Sequence, residues 1–414
     1  MKLSIPRCWA IFAATCTLFL LSQFYKTCLA VITPLLMADL SLDAKGISFM
    51  SAAFFYAFAL AQIPMGIYLD RIGPRVTMTV LSLIAVAGVF IFAWSDSLAV
   101  SVVGRALLGI GMACNLMGSF KLITLWFDPL KFATLSAMVA SIGTLGNITS
   151  TTPLVLLVNG IGWRDVFTLF AVITFMAATV FFLVVRDKPH ETPFGANSLP
   201  ASKGFKNMFS DLRPLFKTRD YWIISFANFG RFGIYFALQS LWAGPYLMEA
   251  MGLSPIRTGN IILALNIGFV FGGPLFGLLS DSILKTRKWV VIFGLACFCL
   301  IFLTVALLPP GANTLILTLL FFGIGFFNST GLVMYAQMKE QVPSEMAGTA
   351  MASINFFALV GAAAFLHVLG NLMQYLYPDA SFGPAAFHVT FLVCAAYLAV
   401  ATLAYCLTHD TKYD

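Results

Sequence analysis

The chain has 414 residues, 60% of them hydrophobic and only 10% charged, with a mean hydropathy of +0.92. A soluble domain carries about 25% charged residues, so too few polar side chains are present to coat a water-facing surface, and the chain reads as an integral membrane protein. The excess of 24 Lys and Arg over 17 Asp and Glu then bears on membrane orientation, and nucleic acid is not an expected partner.

Apolar runs longer than the roughly 10-residue alternation of a membrane barrel point to helices. Lys2 and Arg7 precede a first apolar stretch that imitates a signal peptide. It continues to Leu36 without a small-residue cleavage pattern, so a retained helix is expected. At about 20 apolar residues per crossing, twelve spans are predicted, near 8–36, 47–69, 76–95, 98–126, 132–158, 164–185, 220–244, 256–280, 288–308, 313–338, 346–372 and 385–408. The polar stretch 186–219 divides them six and six. It begins linker-like, rich in Pro, Gly and Ser. It then places Phe205, Met208, Phe209, Leu212, Leu215 and Phe216 at helical spacing among Lys206, Arg213 and Lys217. That pattern suits an amphipathic helix lying on the membrane or docking as a regulatory element. The expected organisation is an N-terminal six-helix bundle (1–185), a cytoplasmic linker (186–219) and a C-terminal six-helix bundle (220–414).

With the N-terminus inside, seventeen basic residues fall on the cytoplasmic side, and Lys45, Arg164 and Arg257 remain outside. This bias places both termini in the cytoplasm, and the short loops suggest a bacterial inner membrane. The eight cysteines all fall in apolar runs without metal-ligand spacing, so they are read as packing residues. No cofactor or metal is expected.

The two halves repeat. Pro34, Leu36, Met37, Leu42, Gly66 and Asp70 match Pro245, Leu247, Met248, Leu253, Gly277 and Asp281, each 211 residues on. A parallel repeat of six-helix units is a transporter signature, with the ligand cavity between the copies. After the second span comes Gly66-Ile-Tyr-Leu-Asp70-Arg71-Ile-Gly73-Pro74-Arg75, and a weaker copy, Gly277-Leu-Leu-Ser-Asp281 with Lys285 and Arg287, follows the eighth. Arg105-Ala-Leu-Leu-Gly109-Ile-Gly111 lies in the fourth span. These motifs resemble the loop and fourth-helix signatures of the major facilitator superfamily, and the resemblance spans the whole chain. It implies an all-α membrane fold of twelve helices in two pseudo-symmetric bundles, a transport role and a gating latch at Asp70, Arg71, Arg75, Asp281 and Arg287. The superfamily's drug exporters carry a Gly-Pro motif late in the fifth span. Here that region reads Gly143-Thr-Leu-Gly146-Asn147, which argues against drug export.

Subtracting twenty loop cations from 24 leaves Lys26, Arg105, Lys121 and Arg231 inside the spans, while all 17 acids fall in loops or at span ends. Each buried cation costs about 2.5–3.5 kcal/mol on insertion scales, so water, backbone carbonyls or an anionic ligand must compensate it. At a rise of about 1.5 Å per residue, Lys26 and Arg231 each lie about 15 Å from a span end, too deep to snorkel. Lys121 is closer to the interface, and it either binds cargo or snorkels. Arg105 serves cargo, or the gating role its family position implies. Tyr25, Asn115, Gln239 and Asn328 are further candidate ligands, with Gln23, Ser119, Asn147 and Asn355 as polar neighbours; each is equally a helix-packing hydrogen bond. Organic-anion and organophosphate members of the superfamily similarly place basic residues on the first and seventh helices. Under the 211-residue repeat, however, Lys26 maps to Ala237 and Arg231 to Leu20. His367 and His388, near span ends, either titrate in transport or are interfacial.

The expected function is alternating-access transport of a small organic anion by a monomer, the partners being that small molecule and the lipid bilayer. A zwitterionic or larger carboxylate cargo such as an amino acid, peptide or siderophore is the alternative. No metalloprotease or paired-carboxylate pattern supports an enzyme.

Overall fold

The computed structural model describes residues 5–128, 132–187, 215–342 and 347–410, and every regular element among them is helical. In chain order these are α1 (Ile5–Thr27), α2 (Leu29–Leu40), α3 (Ala44–Arg71), α4 (Pro74–Ala93), α5 (Leu98–Met112), α6 (Asn115–Trp126), α7 (Phe132–Thr149), α8 (Thr152–Ile161) and α9 (Trp163–Val184). The second half comprises α10 (Arg219–Ala237), wide π-helical turns at Leu238–Trp242 and Tyr246–Ala250, α11 (Pro255–Leu278), α12 (Lys288–Leu307), α13 (Thr314–Asn328), α14 (Gly331–Glu340), α15 (Ala347–Leu376) and α16 (Pro384–Tyr405). The amphipathic segment expected at 205–217 lies almost wholly outside the described residues.

Twelve uniform apolar rods are not what the chain forms. Ten helices among the described residues are long and apolar enough to cross a membrane, and α7 with α8, bent by 43° at their junction, makes an eleventh. The predicted seventh span is helical from Arg219 to Ala250 but is not among these, since α10 carries Arg219, Asp220, Asn228 and Arg231. The first predicted span is two helices, broken at Cys28.

Proline accompanies three of the interruptions, whereas Pro64 and Pro274 lie inside unbroken helices. Pro34 has no N–H for the carbonyl four residues back, which frees Ala30 just past the break at Cys28. Pro245, its repeat partner, frees Leu241 within the first π turn, and Pro153 frees Thr149 at the end of α7. Within one compact unit of the chain, the Gly244 backbone closes on the freed Ala30 carbonyl so tightly that a β-carbon there would collide with it.

The repeat runs through the whole fold with a growing offset. It is 211 residues over the first two spans, 214 between α4 and α12 (288−74), 216 between α5 and α13 (314−98) and 221 between α9 and α16 (384−163). Insertions in the loops of the second half account for the drift. The break after α5 recurs after α13, since 331−115 is again 216. Close packing recurs with it: Gly109 lies on the Phe54 carbonyl, and Gly325, 216 residues on, lies on that of Leu265. In lipid such small-residue contacts replace the hydrophobic drive.

The chain divides into two compact units, Met1–Cys28 with Ala53–Ser150 and Leu156–Lys206, and Leu29–Ala52 with Thr151–Val155 and Asn207–Asp414. In the first, Phe12, Cys16, Phe19, Ile123, Leu135 and Val139 form an apolar core. In the second, Gly259 packs on Thr152 and Gly370 on Ser48. All eight cysteines are free.

Gly109→Val is expected to lower the thermal unfolding midpoint of the detergent-purified protein, an overpacking cost of about 1–3 kcal/mol. Gly160→Val, where a β-carbon meets open space, leaves the midpoint unmoved.

Candidate functional site

Lys26 ends α1, one residue before the break at Cys28. Its Nζ donates to Gln23 Oε1 at 2.9 Å and lies 4.3 Å from the centre of the Phe58 ring. The half-buried ammonium thus meets one neutral oxygen and one aromatic face. Phe58 stacks on Phe54, centroids 5.9 Å apart, and the Phe54 ring carries the Arg105 guanidinium at 4.7 Å. Two cations share one aromatic ladder on α3.

Arg105 is completely buried. Its Nη1 donates at 3.1 Å to the Tyr25 carbonyl, the peptide oxygen that immediately precedes Lys26, and the Cys28 thiol donates to the same oxygen. Arg105 Nε and Nη2 have no hydrogen-bond partner among the described residues. The Tyr25 side chain turns elsewhere: its hydroxyl pairs with Thr174 at 2.8 Å, and Phe24 and Phe170 flank its ring. Thr27, on the other side of Lys26, pairs with Ser150 at 2.7 Å and donates to Asn147 at 3.4 Å, joining the break in the first span to that in the fifth.

Arg231, buried in α10, occupies the break between α13 and α14. Its Nη1 donates to the Asn328 carbonyl at 2.5 Å and to Asn328 Oδ1 at 2.6 Å, and its Nη2 donates to Asn228 Oδ1 at 2.7 Å. Every acceptor is neutral, and Nε has no hydrogen-bond partner among the described residues. The guanidinium lies directly against Gly331, so any β-carbon at that position would displace it. The position is electrostatically mixed: carbonyls ending α13 attract the cation, while the N-terminus of α14 repels it. Asn228 also donates to the Tyr335 hydroxyl at 3.3 Å, and Tyr335 donates to Asn355 at 3.1 Å. This polar chain runs from the buried arginine to half-buried groups.

Asn115 and Gln239 bond groups other than these two cations. Gln239 donates to Asn266 at 2.7 Å, and Asn115 donates to the Leu18 carbonyl at 3.4 Å, where Ser119 also bonds the Asn115 backbone. Lys121 is half-buried on α6. His388 bonds the Ala306 carbonyl at 2.8 Å, and His367 meets the edge of Phe49. Phe58, Asn228, Tyr335 and Gly331 are the participants that sequence reasoning missed. Asn228, three residues before Arg231, was within reach of helix periodicity; the others depend on helix crossings.

The loop motifs close on carboxylates. Gly73, with φ of 96°, leaves room for Asp187 just past α9, which accepts the Arg75 N–H at 2.7 Å at the start of α4. The Arg75 side chain donates to the Phe182 carbonyl and covers its ring. In the second half Asp410 plays the same part past α16, accepting the N–H groups of Arg287 and Lys288 at 3.1 Å at the start of α12. Arg287 pairs with Asp281 and with Glu340, the latter at 2.8 Å. Burial alone would lower the Arg287 pKa, but hydrogen bonds and charge from Glu340 and Asp281 outweigh it and hold the guanidinium above its usual value. Arg71 is exposed at the end of α3, and the Asp70 side chain lies outside the described residues.

The model of the Major Facilitator Superfamily matches residues 15–366. The chain belongs to the Major Facilitator Superfamily. It is therefore a multi-pass integral membrane transporter and not an enzyme. Among relatives, the probable sulfoacetate transporter SauU of Cupriavidus necator is 23% identical over 98% of this chain and 94% of its own length. A probable L-galactonate transporter of Escherichia coli is 24% identical over 92% and 84%, and a hexuronate transporter of Bacillus subtilis 25% identical over 80% of each. Among solved structures, an inward-facing, occupied bacterial homologue of the human lysosomal transporter Spinster superposes with a TM-score of 0.78 at 17% identity, over 98% of this chain and 97% of that one.

Because Asp410 satisfies two N–H groups opening α12, Asp410→Ala is expected to cost about 1–2 kcal/mol of stability, read as a lowered unfolding midpoint in detergent. Asp410→Asn recovers part of it.

Proposed function

We propose that this protein is a secondary active or facilitated transporter that moves a small organic anion, bearing carboxylate or phosphate, by alternating access, with Lys26 and Arg231 as its charge ligands. The observation that carries the reading is the Arg231 guanidinium, buried with only neutral acceptors and with its Nε–H unused among the described residues. A planar fork with donors to spare suits an oxyanion, and an ammonium offers one a point charge. Relatives named for sulfoacetate, L-galactonate and hexuronate, all acidic molecules, support an anionic cargo. Asn328 and Asn228 orient Arg231, and Arg105 orients the peptide before Lys26. Tyr25, Asn115, Gln239 and Lys121 contribute to packing of the spans around these groups.

The working unit in this reading is a monomer in a bacterial inner membrane with both termini cytoplasmic, as the distribution of Lys and Arg supports. Bundles 1–185 and 220–414, joined by the linker 186–219, carry the alternation. Asp70, Arg71, Arg75, Asp281 and Arg287 serve the cytoplasmic latch.

The test is uptake into proteoliposomes of labelled sulfoacetate, L-galactonate, D-glucarate and glycerol 3-phosphate, with leucine and choline as comparisons. At least one anion is expected to accumulate, and Lys26→Gln and Arg231→Gln each reduce that uptake at least about tenfold, the weight of a charge-assisted bond. Gly331→Val, which leaves no room for the guanidinium, falls with Arg231→Gln. Movement of leucine or choline alone, or unchanged uptake in both charge variants, overturns the reading.

A further inference from the structure

Lys26 and Arg231 each hold a positive charge on neutral groups, but not in the same way. Arg231 is held by three hydrogen bonds that it donates to oxygens of two asparagines. Among the described residues Lys26 donates one hydrogen bond, to Gln23, and otherwise rests its ammonium on the face of Phe58. A ring face attracts a cation without direction or exchangeable protons, and an incoming oxyanion can take over from it with no hydrogen bond to break.

We propose that Phe58 is a resident ligand of Lys26 in the empty carrier, and that this contact lets the protein return without cargo, giving net transport rather than exchange alone. The proposal rests on the reading of Lys26 as a charge ligand. During exchange, the anion compensates Lys26 in both directions, so the ring is dispensable. During net uptake, the carrier must change conformation with Lys26 unfilled, and an ammonium stripped of its ring would hold on to water and resist that change. Phe54 backs Phe58 in a stack inclined by 28° and carries Arg105, and Arg105 grips the peptide before Lys26. The ladder thereby keeps ring and ammonium in register. Phe58 is a positioning residue in this account: it acts through Lys26 and never touches the cargo.

The experiment drains the π face without changing its shape. Mono-, di- and trifluorinated phenylalanine are placed at position 58 by nonsense suppression, and proteoliposomes are assayed for net uptake and for exchange of sulfoacetate, L-galactonate, D-glucarate and glycerol 3-phosphate. The expected result is a ratio of net uptake to exchange that falls with each fluorine, by about threefold or more at the trifluoro stage. A ratio that stays level across the series overturns the proposal, because a packing role senses shape alone.

A second arm needs no cargo. Cys28 is fully buried at the break beside Lys26, so its alkylation by N-ethylmaleimide in a variant with the other seven cysteines replaced by serine follows opening of the empty carrier. That rate is expected to fall along the fluorine series, and to lose its dependence on fluorine in a Lys26→Gln background. A flat rate, or an equal fall without Lys26, overturns the proposal. If none of the four anions moves through the unmodified protein, the anion reading fails, and the Cys28 rates still decide the role of Phe58.

Discussion

Positive charge that the spans cannot neutralise from within is the constraint on which the rest depends. Among the described residues every Asp and Glu lies in a loop or at a helix end, and the partners of Lys26, Arg105 and Arg231 are amide oxygens, peptide carbonyls and aromatic faces. The magnitudes separate them. Hydrogen bonds to a charged group are worth about 1.5–3 kcal/mol each, so the three on Arg231 offset an insertion cost of about 2.5–3.5 kcal/mol with something to spare. Lys26 has one such bond and a cation–π contact of about 0.5–2 kcal/mol, which leaves it near balance. The lysine is the charge most easily reassigned, and the arginine the one most firmly placed.

The helix breaks sit where these cations sit. Lys26 precedes the interruption at Cys28, Arg105 reaches across to a carbonyl beside it, and Arg231 lies in the gap between α13 and α14. An interrupted helix exposes peptide dipoles that a continuous one spends on itself. Arg105 and Arg231 both draw on that supply, the first through Tyr25 and the second through Asn328. Gly331 completes the arrangement by letting the guanidinium approach the backbone itself.

Much of this architecture was legible in the residues. Apolar runs and the loop motif around Asp70 pointed to the family, and the prolines at 34 and 245 marked the interrupted helices, although they served only as repeat markers. The offset that drifts from 211 to 221 explains why a gap-free comparison stopped after two spans. The site was less legible. A helix that is apolar on every side carries no periodic signal for which face meets which neighbour, so the choice of Phe58 for Lys26 and of Gly331 for Arg231 needed the crossings. Gln23 and Asn228 were readable because an i, i+3 relation is local. Tyr25 shows the limit from the other direction: adjacent in sequence to Lys26, it points about 100° away around the helix and bonds Thr174 instead.

The loop carboxylates indicate which parts hold and which parts yield. Asp187 and Asp410 each return from the end of a half to cap the helix that follows its loop motif, α4 and α12. Each bond is internal to its own half of the sequence, so it stiffens that half and is indifferent to alternation. The second half adds the Arg287 pairs with Asp281 and Glu340, whose guanidinium is buried; breaking them would strand that charge, a larger cost than loss of an exposed pair. Stiff helix ends direct deformation to the places where the helices are already interrupted or widened, namely Cys28, the junction of α7 and α8, and the π turns between Leu238 and Ala250. Two of these three flank the first and seventh spans, which carry Lys26 and Arg231, so a change at either cation acts on the part of the chain least able to resist it.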